Sequence, residues 1–265
     1  MTPPWDNGPE RIEQLITSRN EARELLVFYQ SLLVFQKSFF DLLDESHPTG
    51  SLAQDIIALI DYFPTFLTWV TDNGSTLLCS QAHEIANWNR EKQESLLLSH
   101  WRNEEIAGGN FFPKAFLQPY AAHLVQQQIT IEDRGRLNIG CPECGGPPEL
   151  SYLQSPPSTL GAGSGSEGAS RYLQCSLCFS AWQINRIRCP SCGEDDPNKL
   201  PVYQSEQLPN VRIEACDSCK NYFKGVDLTK DGRAVPSVDD IATPALDLWA
   251  QQNGYRKIEL NLAGV

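Results

Sequence analysis

Four Cys-x-x-Cys pairs lie between residues 141 and 219, at Cys141/Cys144, Cys175/Cys178, Cys189/Cys192 and Cys216/Cys219. They constrain the fold more than any other feature of the chain. Two thiols on one side of a tight turn call for a second pair facing them across a hairpin, because a tetrahedral ion takes four such ligands. The pairs also repeat: Cys141-Pro-Glu-Cys144-Gly145 matches Cys189-Pro-Ser-Cys192-Gly193, and Arg171-x-x-x-Cys175-x-x-Cys178 matches Arg212-x-x-x-Cys216-x-x-Cys219. Each unit therefore reads as knuckle, strand, turn, strand, knuckle. Glycine after the second cysteine, at Gly145 and Gly193, gives the chain the freedom to turn beneath the sulfurs.

Thirty residues separate Cys144 from Cys175, and 23 separate Cys192 from Cys216, spacers like those of zinc ribbons and rubredoxins. The repeat predicts two four-sulfur sites, Cys141, Cys144, Cys175 and Cys178 in one and Cys189, Cys192, Cys216 and Cys219 in the other. Joining Cys175/Cys178 to Cys189/Cys192 instead leaves ten residues between knuckles and breaks the repeat. Two metal ions are expected, and thiolate ligation suits iron or zinc alike. Dithiol redox chemistry is the competing reading, but no βαβ pattern surrounds any pair. Disulfides are disfavoured, since the opening MTPPWDNGPE has neither the basic nor the apolar region of a secretory signal; the expected location is the reducing cytoplasm. Closed metal sites would stand in for the core that a unit of about 45 residues can hardly build alone. Eight thiolates and two divalent ions take the formal charge of −12 to about −16.

The expected fold class is α+β: an N-terminal α-helical bundle, two rubredoxin-like or zinc-ribbon knuckle modules, and a short C-terminal helix. Leu25, Phe28, Leu32, Phe35, Phe39 and Leu42 recur every three or four residues, which predicts one face of a long helix ending between 44 and 50. Further helices are predicted at 51–72, 78–103 and 114–129, with breaks at 73–74 and 108–110. Near Gly135 the helical period stops. The predicted units are 1–135, helical; 136–180 and 181–230, the two cysteine modules; and 231–265, helix and tail. The Gly/Ser-rich stretch at 155–170 predicts a flexible loop. A helix is expected over 238–252, with Asp239 and Asp240 favourably near its N-terminus, and a strand over 256–261.

No catalytic constellation is legible: a phosphate loop, a nucleophile elbow and HExxH are all missing. Cys79 reads as a small buried residue, and His83, Glu84, His100 and His123 sit at unrelated spacings. Tyr172, Trp182, Tyr222 and Phe223 flank the second knuckles and are expected to pack over the metal hairpins. The cysteine region is near neutral, with nine acids against seven bases over 141–225, so nucleic acid is not an expected partner. The longest apolar run, at 25–35, is too short and too polar to span a membrane.

RYLQCSLCFSAWQINRIRCPSCG, then CDSCKNYFK, then VDDIATPALDLWAQQNGYRK resembles the formate dehydrogenase accessory protein family FdhE, closely over 135–265. The resemblance implies a cytoplasmic, non-catalytic maturation chaperone that binds the catalytic subunit of formate dehydrogenase. It also implies rubredoxin-like, iron-associated knuckles built from the eight paired cysteines.

Overall fold

The computed structural model of the chain describes residues 2–104, 111–135, 137, 139–155 and 168–264. Its helical half contains α1 (Pro4–Ile16), α2 (Arg23–Ser46), α3 (Leu52–Leu59), α4 (Phe63–Asn73), α5 (Thr76–Ala86), α6 (Arg90–Trp101) and α7 (Phe111–Gln126). The long helix predicted from the Leu25 stripe is α2, and the stripe lies towards the core except at its last member. Leu32 and Phe39 are buried, with Leu26, Tyr29, Leu33, Gln36, Phe40 and Leu43 beside them; Leu25, Phe28 and Phe35 are partly buried, and Leu42 is exposed. The buried face is wider than the stripe because α2 packs against α1, α4 and α7. Phe28 and Phe35 lie against Trp69 of α4, at ring-centroid distances of 5.6 and 5.4 Å.

The helix expected over 51–72 is broken only by a 3-10 turn at Ile60–Tyr62. The one expected over 78–103 divides at 87–89, where the Asn89 side chain accepts from the Lys92 N–H at 2.9 Å and starts α6 afresh. Helix α1 was not legible because Gly8 and Pro9 sit inside it and both disfavour helix. Gly8 has a packing reason: a Cβ there would come 2.7 Å from Leu33 Cδ1. The break expected at 108–110 lies outside the described residues, as does 156–167 of the expected Gly/Ser loop.

The cysteine half forms one sheet from β1 (Pro148–Gln154), β2 (Ser170–Cys175), β3 (Ala181–Ile184), β4 (Val202–Gln204), β5 (Val211–Ala215), β6 (Asn221–Asp227) and β7 (Arg256–Lys257). Strand order is β3-β2-β1-β6-β5-β4, with β7 alongside β6. Each unit is antiparallel, and the units join through the parallel pair β1 and β6, with Tyr152 opposite Val226. The first strand of one unit thus meets the last strand of the other, head to tail. Leu150, Tyr152, Ile213, Tyr222 and Val226 point to one face and form a core with Leu246 and Ala250.

That core is closed by α8 (Pro236–Ile241) and α9 (Pro244–Gln252), where a single helix was expected. Pro244 lacks the N–H that would continue α8. Lys224 Nζ joins the Thr243 and Leu246 N–H groups at the break, donating to the Asp240 and Thr243 carbonyl oxygens. Asp239 stands in the first turn of α8, as expected, and accepts from the Val235 N–H at 2.9 Å; both it and Asp240 are also buried ion-pair partners. Asp239 accepts two hydrogen bonds from Arg11 of α1, at 2.5 and 3.0 Å, and one from Asn210 at 3.1 Å. Asp240 pairs with Lys224 at 3.2 Å and with Lys257 at 2.9 Å. The strand expected over 256–261 shortens to β7 because Lys257 and Asn261 turn inward to Asp240.

The bundle and the first cysteine unit share one continuous core that holds Cys141, Cys144, Cys175 and Cys178 beside residues of α1–α7. Trp5 of α1 meets Phe179 edge-on at 5.5 Å. Gln118 of α7 donates to the Ser176 carbonyl at 2.9 Å.

Candidate metal centres

The eight paired cysteines meet in two groups, Cys141, Cys144, Cys175 and Cys178, and Cys189, Cys192, Cys216 and Cys219, each with its four sulfurs within 4.8 Å of one another. The grouping follows the repeat and not the short ten-residue alternative. Across the first group Cys141 and Cys178 are 3.6 Å apart, and Cys144 and Cys175 3.4 Å. Across the second, Cys189 and Cys219 are 3.8 Å apart and Cys192 and Cys216 3.7 Å. Four sulfurs placed about 2.3 Å from one ion in a tetrahedron lie roughly 3.8 Å apart, so both groups have the dimensions of such a site.

The same local geometry recurs in all four knuckles. The N–H of each first cysteine bonds to the carbonyl five residues on: Cys141 to Gly146, Cys175 to Ser180, Cys189 to Glu194 and Cys216 to Asn221, at 2.8 to 2.9 Å. To close that turn, the residue after each second cysteine takes a left-handed conformation, with φ of 74° at Gly145, 61° at Phe179, 82° at Gly193 and 58° at Lys220. The glycines signalled two of these turns; Phe179 and Lys220 carried no such signal. Gly146 has a separate steric role, since a Cβ there would sit 3.3 Å from the sulfurs of both Cys144 and Cys175.

Gly146 N–H points at the Cys144 sulfur and Leu177 N–H at the Cys175 sulfur, each at 3.4 Å. Hydrogen bonds from Cys141, Cys175 and Cys178 hold Cys144 well below the ordinary thiol range, while burial pushes Cys175 well above it. Neighbouring sulfurs thus compete for protons, and a soft divalent cation that replaces those protons satisfies all four at once. Each donor set therefore fits one thiophilic metal ion.

The centres differ in exposure. All four sulfurs of the first are buried, whereas in the second Cys192 is exposed and Cys219 half-buried. Polar side chains tie the second centre's knuckles together: Ser218 donates to Glu194 at 2.5 Å, and Asn221 to the Ser191 hydroxyl at 2.7 Å. Hydrogen bonds from Ser218 and from the Asp196 N–H hold Glu194 down at about 2, so a carboxylate stays ionised beside this centre. A chelator competing for metal-loaded protein is expected to strip the second centre at least tenfold faster than the first. Release monitored with a chromogenic chelator should be biphasic, and Cys192→Ser should abolish the fast phase. A single phase in the native chain would refute the asymmetry.

The other residues weighed from sequence do not gather. Among the described residues no further His/Cys/Asp/Glu group could hold a metal, so His83, Glu84, His100 and His123 form no site of that kind. Cys79 is half-buried, with its thiol at 3.2 and 3.3 Å from the Thr71 and Gly74 carbonyls. Tyr172 stacks on Tyr152 at 5.3 Å. Tyr222 donates to Asp247 at 2.9 Å, and Phe223 lies under the Arg171 guanidinium.

His100 is pushed down to about 3 by burial and by the Arg134 and Lys114 charges. A histidine depressed below its unfolded value of about 6.5 contributes stability above that pH and loses it as pH falls from there towards the folded value. Acidification from pH 7 to 5 is therefore expected to cost the native chain roughly 1–2 kcal/mol more than His100→Gln. Urea titrations at the two pH values test it; parallel losses would exclude His100 as the source.

Sequence reading missed the buried charges around the tail. Lys224 and Lys257 face Asp240 and Asp247 with all four side chains fully buried. Lys114 of α7 reaches Glu149 of β1 and Glu259, each at 3.0 Å. The signal was present only as acidic and basic residues in an otherwise apolar tail.

A helical bundle continued into two sheet-linked four-cysteine knuckle units defines the class: an α+β protein with paired zinc-ribbon-type sites. The family described as FdhE, C-terminal domain, matches residues 173–263. A protein named FdhE homolog from Aquifex aeolicus is 30% identical over 226 residues, spanning 84% of this chain and 76% of that protein. One of the same name from Haemophilus influenzae is 34% identical over 257 residues, spanning 96% and 73%. The crystal structure of the FdhE protein from Pseudomonas aeruginosa superposes with a TM-score of 0.71 over 99% of this chain and 97% of that one, at 22% identity. The chain belongs to the FdhE family.

Proposed function

We propose that this chain is a cytoplasmic accessory protein of formate dehydrogenase, which binds the catalytic subunit during maturation and catalyses no reaction of its own. The observation that carries the reading is the match to FdhE homologues through the helical half and both cysteine units together, over 96% of the chain in one case. In this reading Cys141, Cys144, Cys175 and Cys178 hold one ion, and Cys189, Cys192, Cys216 and Cys219 the other. Zinc would brace the units, and iron would add one-electron chemistry. Eight of the nine cysteines are then committed to metal, which leaves no thiol pair for dithiol cycling. No described helix is long and apolar enough to cross a membrane.

Deletion of the gene is expected to leave formate dehydrogenase protein present but inactive, with activity restored by the native chain and not by Cys175→Ser. Tagged protein should recover the catalytic subunit. Full formate dehydrogenase activity in the deletion strain would end this reading.

A further inference from the structure

Arg134 stands on the connection between α7 and the first knuckle, and only 9% of it is exposed. A guanidinium stays charged throughout the pH range in which proteins fold, so a buried one calls for an anion beside it. Among the described residues Arg134 makes no ion pair. Its Nη2 donates to the Asn103 side-chain oxygen at 3.0 Å, while the buried Nε and Nη1 find no acceptor there. Asp133, next in the chain, is directed at the start of α3, where its two oxygens accept from Ser51, from the Leu52 and Ala53 N–H groups and from Trp101. Glu143, within the first knuckle, is exposed to solvent. His100 also faces Arg134 and is uncharged at neutral pH, because burial and the Arg134 and Lys114 charges push it down to about 3. Lys114 itself is paired with Glu149 and Glu259.

What does lie beside Arg134 is the first centre. A Cβ on Gly146 would stand 3.0 Å from Arg134 Nη2 and 3.3 Å from the sulfurs of both Cys144 and Cys175. The guanidinium and the two sulfurs therefore flank one glycine, no more than roughly 6 Å apart, a range at which full charges interact strongly away from water. The end of α6 holds the arginine in that position. Its guanidinium lies over the Trp101 ring, 5.0 Å from the centroid, and Trp101 in turn donates to Asp133 at 2.8 Å. Asn103, left-handed with φ of 58°, accepts from Arg134 and donates to the Gly135 carbonyl. The chain passes so close here that a Cβ on Gly135 would meet the Arg102 carbonyl oxygen at 2.5 Å.

Four thiolates around one divalent ion carry a net charge of about −2. A buried anion of that kind and a buried cation without a carboxylate each cost free energy alone, and they offset one another when adjacent. We propose that Arg134 is the counter-cation of the first metal centre: its fixed charge strengthens metal binding by Cys141, Cys144, Cys175 and Cys178, and metal binding completes the charge balance where the bundle joins the first cysteine unit. Arg134 is a positioning residue in this sense, since it acts on the ion through the sulfurs, as groups outside the ligand set of a metal site commonly do. The proposal rests on the reading of those four cysteines as one metal site.

The test is zinc competition against a chromogenic chelator, on the full chain carrying Cys192→Ser so that the first centre alone is read. Arg134→Gln should weaken zinc binding at least tenfold, and Arg134→Lys, which keeps the charge, should bind within threefold of the parent. Asn103→Asp leaves Arg134 in place but gives it a carboxylate to pair with; it should weaken zinc binding at least threefold, and it decides the matter if Arg134→Gln does not fold. With iron in the site, the ferrous form carries one more negative charge than the ferric. Arg134→Gln should therefore also shift the reduction potential of this centre downward, a signed change that lost packing alone does not produce. Unchanged zinc affinity in Arg134→Gln or in Asn103→Asp, equal losses in Arg134→Lys and Arg134→Gln, or an unchanged potential would each overturn the proposal while the metal site stands. If the parent chain binds no zinc through these four cysteines, the metal-site reading falls and takes the proposal with it.

Discussion

Cys175→Ser is expected to remove one metal ion per chain and, with it, cooperative unfolding of the helical half; Cys192→Ser is expected to remove one ion and leave that transition in place. The contrast follows from where the sulfurs sit. Cys175 is fully buried within the core that also contains Trp5, Leu33, Phe40 and Leu124, so its centre closes the base of the bundle. Structural thiolate sites contribute on the order of 10 kcal/mol to small domains, against about 5–15 kcal/mol for the stability of a whole domain. Loss of the first centre can therefore exhaust the stability of everything packed on it. The second centre touches solvent through Cys192 and supports mainly its own hairpin. Elemental analysis and far-UV circular dichroism melts separate the two cases; equal loss of melting temperature from both substitutions would sink the idea of a shared core. Within one centre the effects should saturate, so Cys141→Ser with Cys175→Ser should lose little beyond either alone. Cys141→Ser with Cys189→Ser should add.

Lys224→Met should destabilise the metal-loaded chain by about 3–5 kcal/mol, because removing one member of a buried ion network strands its partners without solvent. Lys224 is fully buried between Asp240 and Asp247, and it also donates to the Asp240 and Thr243 carbonyls beside the Pro244 break. Adding Asp247→Asn should recover part of the loss, since one of the two stranded charges goes with it. Urea unfolding at pH 7 with both metals bound gives the number. A loss below about 1 kcal/mol would mean that Lys257 and Asn261 neutralise the site unaided.

How much of this was legible depended on the range of the interaction. The knuckles were readable because each is closed by residues at most five apart, and their partners follow from an internal repeat. The helices were readable from period, as was most of the core face of α2, but not its full width, because neighbouring helices also cover residues that flank the stripe. Pro244 was visible in the sequence, yet the expected helix ran through it. What braces the break from outside, the bonds of Lys224 to the carbonyls on either side of it, comes from a strand 16 residues before Asp240.

Thus the sequence by itself determined the two sets of cysteines, the helical first half and the α+β class, since each is written in local spacing. Only the tertiary structure decided which centre is buried, which charges form the interior and which cation stands beside the first centre. Arg11 meets Asp239 across 228 residues, and Lys114 meets Glu259 across 145. In the chain alone these are ordinary surface charges. They become structural only when packing removes water from both partners, and that desolvation is a property of the assembled fold.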